Sequence, residues 1–136
     1  IGKRKEMTVY GSDYPTRDGS CVRDYIHVSD IANAHTKAMQ YIIDDRNKSN
    51  CEVFNLGTGN GVTVLELINA FEKVSGRKLN YKIGPRRPGD VVEVYANNNK
   101  ACKLLGWETK HDLNSMMDTA WRWEQAYADM KAAVSN

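Results

Sequence analysis

Cysteine is scarce in this chain, and where it occurs it is scattered. Cys21, Cys51 and Cys102 are an odd three among 136 residues, and no Cys-x-x-Cys occurs. That spacing excludes a disulfide framework and a cysteine zinc site, and leaves reduced thiols of a cytoplasmic protein. Charge of one sign is also lacking. A net charge of +2, with 26% charged residues, is too small an excess to argue for nucleic acid or a membrane surface as partner. There is no long apolar run, so a membrane span has no support. Internal repeats and low-complexity tracts are absent too. His27, His35 and His111 stand at no metal-ligand spacing. No Gly-x-Ser-x-Gly occurs, and no cysteine sits beside a candidate base. The chain therefore offers no self-sufficient nucleophile, no acid-base residue and no metal centre.

What is present reads as an ordinary α/β mixture, long enough for one domain with a real core. Met7-Thr8-Val9-Tyr10 suits a strand, and turn residues from Gly11 to Ser20 suit a loop. Tyr25 to Val28 predicts a short strand. Ser29 then caps a helix to about Asp45, with Ile31, Ala34, Ala38 and Ile42 on one face. Cys51 to Leu56 predicts a second strand. Thr63 and Glu66 form a capping box for a helix stopped by Gly76. Leu79 to Ile83 predicts a third strand, and Val91 to Tyr95 a short extended piece. Asn97 or Asn98 caps a short helix through Leu105, closed by Gly106. A last helix from about Asp112 places Leu113, Met116, Ala120, Trp123 and Tyr127 on one stripe, and loses its pattern near Ala128. The chain opens Ile1-Gly2-Lys3-Arg4-Lys5 with no initiator Met and enters a strand at once, which predicts a piece of a longer protein.

Leu56-Gly57-Thr58-Gly59-Asn60-Gly61 lies between a strand and a helix, where a dinucleotide would bind. Its Gly-x-Gly-x-Gly spacing is one residue short of the fingerprint. The next strand runs into Gly84, without the carboxylate that holds an adenosine ribose. The stretch reads instead as a tight turn feeding a capped helix, so NAD is not expected on it.

Two arginines with neighbours remain. Arg23 follows a loop, in Cys21-Val22-Arg23-Asp24-Tyr25-Ile26-His27-Val28. Arg87 lies in Pro85-Arg86-Arg87-Pro88-Gly89-Asp90, a loop stiffened by two prolines. Guanidinium forks grip phosphate oxygens in pairs, so two from different loops can clamp a diphosphate. Asp90 suits ribose hydroxyls, and Tyr10 offers a ring or backbone edge to a base. Taken singly, each reads first as solvated surface charge.

In these same stretches the chain resembles the UDP-glucose 4-epimerases, extended short-chain dehydrogenase-like enzymes. The similarity runs from Tyr10-Gly11-Ser12-Asp13-Tyr14-Pro15-Thr16 through the Arg23 stretch, Phe54 to Gly59 and the Arg87 loop. It ends with Leu105-Gly106-Trp107 and Trp121-Arg122-Trp123. The resemblance is to the C-terminal, substrate-binding part alone. It implies a single region over 1–136, a small mixed α+β lobe of short strands and about four helices. The NAD-binding N-terminal lobe, with its glycine loop and Tyr-x-x-x-Lys pair, lies outside it. The resemblance implies no catalytic and no cofactor-binding residue in this chain, and no activity of the chain alone. It further implies that Thr8 and Tyr10 edge the uracil and that Arg23 and Arg87 clamp the diphosphate, with Tyr25 close by. Asp90 takes the ribose, and Val94 sets the sugar pocket, where Val leaves room for an N-acetyl group that Tyr would block. The reaction implied interconverts UDP-glucose and UDP-galactose through a 4-keto sugar, with NAD taking and returning hydride. The intact protein is then expected as a cytoplasmic homodimer of galactose metabolism, with a UDP-sugar as substrate. The isolated chain is expected to self-associate through surface bared by the missing lobe. Two other readings compete: a stand-alone UDP-sugar-binding module, and a basic nucleic-acid-binding domain using Lys3-Arg4-Lys5 and Arg86-Arg87.

Overall fold

A computed structural model of the chain describes residues 3–134, so Ile1 and Gly2 of the opening stretch lie outside the described residues. The element order is β1 (Met7–Tyr10), β2 (Val22–Arg23), α1 (Val28–Ile43), β3 (Val62–Thr63), α2 (Val64–Ser75), β4 (Tyr81–Gly84), α3 (Asn99–Leu105) and α4 (Leu113–Val134). Mixed α/β architecture with four helices and short strands is as expected. The chain folds as two compact units, each built from separated stretches.

The first unit takes residues up to Cys21, Thr63–Val92, and those from Leu113 on. In it β1 and β4 run parallel, with Met7 opposite Tyr81 and Tyr10 opposite Gly84. Val9, 1% exposed, is the buried side chain of β1. Helices α2 and α4 pack together, with Trp121 edge-on to Phe71 at 5.7 Å. The capping box at the start of α2 is present as the sequence predicts: Glu66 N–H donates to Thr63 Oγ1, and Thr63 N–H donates to the Glu66 carboxylate. Gly76 ends the helix in the left-handed conformation, at φ +67°.

The second unit comprises Val22–Val62 and Glu93–Asp112. Its core is Ala34, Tyr41, Ala101, Leu105 and Trp107, with Ala38, Phe54, Leu56 and Leu104 packed around them. Trp107 is fully buried, and its indole N–H donates to the Asp30 carbonyl at 2.8 Å. A buried Trp needs such a partner.

Several expected boundaries move. The strand predicted at Tyr25–Val28 lies at Val22–Arg23, and Val28 opens α1. The cap is His27, not Ser29: the His27 Nδ1 accepts from Ser29 N–H at 3.0 Å. Ile42 is 60% exposed, because Asp30, Ala34 and Tyr41 set the buried face. Cys51–Leu56 is not a strand. Its burial alternates as a strand's does, yet no ladder partner is present among the described residues. The third predicted strand is Tyr81–Gly84. Asn98 caps α3 without a side-chain bond, because its amide donates instead to the Gly57 carbonyl. In α4 the packing residue is Trp121, while Trp123 and Tyr127 face water, and the helix continues past Ala128 to Val134.

Candidate functional site

Four expected contact residues come together in the first unit. Thr8 and Tyr10, two apart on β1, share one face of the strand. Both lie against Gly84 at the end of β4: a Cβ there would stand 2.7 Å from Thr8 Cγ2 and 3.9 Å from Tyr10 Cδ1. Only a bare α-carbon fits that approach. The loop after Gly84 turns back through a hydrogen bond from Asp90 N–H to the Arg87 carbonyl, 3.1 Å, with Gly89 at φ +78°. The turn sets the Arg87 guanidinium 5.2 Å from the centre of the Tyr10 ring, a cation–π distance. The same guanidinium stands 3.4 and 3.5 Å from the two Asp90 oxygens. These are long for charge-assisted bonds, and Arg87 is itself 61% exposed.

The neighbouring arginine is committed. Arg86 Nε donates to Asp13 Oδ1 at 2.8 Å, its Nη2 donates to the Asp13 carbonyl at 2.5 Å, and its plane lies 4.2 Å over Tyr14. That guanidinium holds the Asp13 carboxyl below its usual range. Tyr14 is buried, and its hydroxyl has no hydrogen-bond partner by geometry. Burial, and then the Cys21 thiol, push its phenol above the ordinary range. Cys21 also lies 3.8 Å from Asp90 Oδ2. The carboxylate of Asp90 thus sits with a thiol behind it and a loosely held guanidinium in front.

The loop that carries Tyr14 is pinned to the start of α2. Asp18 Oδ1 accepts from Ser20 N–H at 2.9 Å and from Ser20 Oγ at 2.8 Å, and its other oxygen accepts from Thr63 Oγ1. The amides of Val64, Leu65 and Glu66 are taken by the Cys21 carbonyl, Ser20 Oγ and Thr63 Oγ1. Arg17 meets Glu66 through two bonds of 2.5 Å. This guanidinium, opposed by burial, brings the Glu66 pKa down to about 2.

Three further expected residues lie in the second unit. The Val22 carbonyl accepts both Arg23 Nη1, at 2.8 Å, and Val94 N–H, at 3.1 Å. Arg23 and Val94 are therefore fixed at one point, beside the Val22–Glu93 bridge. Val94 is half exposed, and Tyr25 is half-buried nearby in sequence.

Two carboxylates that the sequence reading passed over organise this unit. Asp24 Oδ1 accepts from Thr58 N–H and Thr58 Oγ1, each at 3.0 Å, and its Oδ2 accepts from Ala96 N–H at 2.8 Å. Asp30, 2% exposed, accepts from the amides of Lys110 and His111 at 3.1 Å and meets His111 Nδ1 at 2.8 Å. Burial raises the Asp30 pKa, but the His111 ring and the two amides outweigh it and leave the group below its usual value. His111 stacks on the buried His27 at 4.1 Å. Nothing in the local spacing announces either hub, because their partners lie between 34 and 81 residues away.

The glycine loop does not fit a dinucleotide. A Cβ on Gly57 would stand 2.2 Å from Asp24 Oδ2, and one on Gly61 would stand 2.5 Å from Val22 Cγ1. These glycines make room for the chain's own side chains. The first-turn amides of α2, where a phosphate would sit, are already taken. Among the described residues no group of three His, Cys, Asp or Glu side chains can hold a metal ion, and no helix is long and apolar enough to cross a membrane.

Known proteins resemble this chain over nearly its whole length. The family model described as GDP-mannose 4,6 dehydratase matches residues 1–120. A bifunctional UDP-glucose 4-epimerase and UDP-xylose 4-epimerase of Pisum sativum is 50% identical over 123 residues, which is 90% of this chain and 35% of that protein. The crystal structure of UDP-glucose-4-epimerase from Stenotrophomonas maltophila, with bound NAD and formylated UDP-arabinopyranose, superposes with a TM-score of 0.87. Its identity is 45%, over 93% of this chain and 37% of that one. The UDP-glucose 4-epimerase of Bifidobacterium longum, in complex with NAD+ and UDP, gives a TM-score of 0.82 at 45% identity, over 92% and 36%. The chain thus spans about a third of the length of the relatives it matches.

Proposed function

This chain belongs to the GDP-mannose 4,6 dehydratase family, and from that premise we propose that it is the nucleotide-sugar-binding region of a UDP-glucose 4-epimerase. The observation that carries the reading is the Arg87 fork, exposed above Tyr10 and only loosely tied to Asp90. Phosphate recognition needs such a guanidinium, rigidly hinged and weakly engaged. Tyr10 and Thr8 edge the base, Asp90 takes the ribose hydroxyls, and Arg23 and Tyr25 are read as further contacts of the diphosphate. NAD belongs to the part of the relatives' length that this chain does not cover, since its own glycine loop is filled by Asp24 and Val22. This chain's task is then to hold the UDP while the sugar turns over, with the acid-base and hydride steps supplied outside it. Such a protein would work as a homodimer in the cytoplasm, in galactose metabolism.

The test is a calorimetric titration of UDP into this chain and into its Arg87→Ala and Arg86→Ala variants. Arg87→Ala is expected to weaken binding by about 1–3 kcal/mol. Arg86→Ala is expected to lower stability, because its fork already serves Asp13 and Tyr14. Unchanged UDP affinity on loss of Arg87 rejects the assignment. Val94, half exposed, supports a roomy sugar pocket. A protein carrying this chain with the rest of the relatives' length is expected to turn over UDP-N-acetylglucosamine. Val94→Tyr should abolish that turnover and spare UDP-glucose, and equal loss on both sugars would contradict the role.

A further inference from the structure

The stretch that carries Val94 is held by a side chain where a strand would use its backbone. Val22 and Glu93 form a parallel bridge, and the Val22 carbonyl accepts from Val94 N–H at 3.1 Å. In a parallel ladder the next rung joins the carbonyl and the amide two residues further along each strand. That amide is Ala96 N–H, and it donates at 2.8 Å to Oδ2 of the Asp24 carboxylate. The side chain of Asp24 thus takes the rung that belongs to its own carbonyl.

The other oxygen of the same carboxylate ties down a third stretch. Oδ1 accepts from Thr58 N–H and from Thr58 Oγ1, each at 3.0 Å. The Gly57 carbonyl beside it accepts from the Asn98 amide at 2.6 Å. Gly57 is not needed for backbone conformation, since its φ is not positive. It is needed for space: a Cβ there would stand 2.2 Å from Asp24 Oδ2 and 2.8 Å from Ala96 Cβ. A Cβ on Gly61 would likewise stand 2.9 Å from Tyr95 Cδ1. The glycine loop is therefore a backstop. It lets one carboxylate reach across and lets the Tyr95–Ala96 stretch lean against it.

All these residues belong to the second unit. Arg23 is anchored at the same place, its Nη1 donating to the Val22 carbonyl at 2.8 Å. Arg23 is read for the diphosphate and Val94 for the sugar, so one ligand needs both at a fixed spacing. Such groups must be held within about 0.5 Å of their productive places. Val94, 51% exposed, has little packing of its own to hold it. We propose that Asp24 is the positioning residue of the sugar pocket: through Thr58 and Ala96 it keeps the Val94 wall in register with Arg23. It rests on the UDP-sugar reading of the chain, and it names the residue that makes the pocket's size selectivity rigid.

The test is a restoration, which a purely structural role would not give. Asp24→Asn offers one acceptor oxygen where two are used. Thr58 presents two donors and Ala96 one, so the amide oxygen stays with Thr58 and the NH2 group opposes Ala96 N–H. UDP, UDP-glucose and UDP-N-acetylglucosamine are titrated calorimetrically into the chain, with circular dichroism to confirm that each variant is folded. Val94→Tyr is expected to weaken the N-acetylated ligand alone, by about tenfold or more. Adding Asp24→Asn to Val94→Tyr should recover most of that loss, because the wall is no longer held. Gly57→Ala, which pushes on the same carboxylate, should do the same. Amide hydrogen exchange checks the cause: in Asp24→Asn the Ala96 N–H should exchange about tenfold faster, while the buried Trp107 indole stays slow. A wild-type chain that binds no UDP overturns the UDP-sugar reading and takes this role with it. UDP bound as expected, with an exclusion by Val94→Tyr that survives both second substitutions, overturns the role of Asp24 alone. So does a Val94→Tyr chain that excludes nothing, or an Ala96 amide indifferent to Asp24→Asn.

Discussion

Two adjacent arginines show how much a single residue's surroundings decide. Arg86 and Arg87 are chemically identical and sequence neighbours, yet one is consumed by Asp13 and Tyr14 while the other is held by long contacts. The Pro-Arg-Arg-Pro run made a basic loop legible in the sequence, but which fork is available depends on Asp13, 73 residues away. Asp30 is the converse case, a charge hidden in the core. It joins two backbone amides and the His111 ring while its own carbonyl receives Trp107. Asp30→Ala is expected to cost about 2–3 kcal/mol, because three donors lose their acceptor. Denaturant unfolding followed by fluorescence measures it, and an unchanged midpoint would show the cluster to be ornamental.

The elements the sequence announced best were those with local punctuation. The Thr63–Glu66 capping box, the glycine stops at Gly76 and Gly106, and the Met7–Tyr10 strand all stand where their residues require. What failed were elements whose identity depends on distant partners. His27 takes the cap of α1 because its ring nitrogen faces Ser29 N–H, and Ser29 itself lies within the helix. Cys51–Leu56 keeps a strand's alternation without a strand's partner. The expected contact residues Thr8, Tyr10, Arg87 and Asp90 lie together in the first unit, although no single stretch of sequence joins them. The hubs Asp24 and Asp30 left no signature in their own neighbourhoods. At this scale α2 also carries a pH dependence. The folded-state pKa of Glu66, about 2, lies below its ordinary 4.5. Its contribution is therefore full above pH 4.5 and is lost as pH falls from there toward 2. Thermal unfolding is expected to drop across that window, and Glu66→Gln should flatten the drop.

Taken whole, the chain is two cores threaded by one polypeptide that passes between them four times. Each core has its own tryptophan reporter: Trp107 is fully enclosed in the second unit, and Trp121, 9% exposed, is packed in the first. The Trp107 cluster is the drier of the two. Hydrogen exchange at its indole N–H is therefore expected to be slower than at that of Trp121. Equal rates would mean that the units open together. The same division explains the uneven legibility of the whole. Each unit draws on stretches far apart in sequence, so no window of ten or twenty residues contains the contacts that define it.

The bare run from Cys51 to Leu56 has a further cost for anyone handling this protein. Among the described residues no strand pairs with it, and Val53, 71% exposed, stands in its middle. An extended, half-apolar segment of that kind templates growth of stacked β fibrils. In concentrated solution this short stretch, rather than either core, should nucleate precipitation, and a charged side chain at Val53 should delay it.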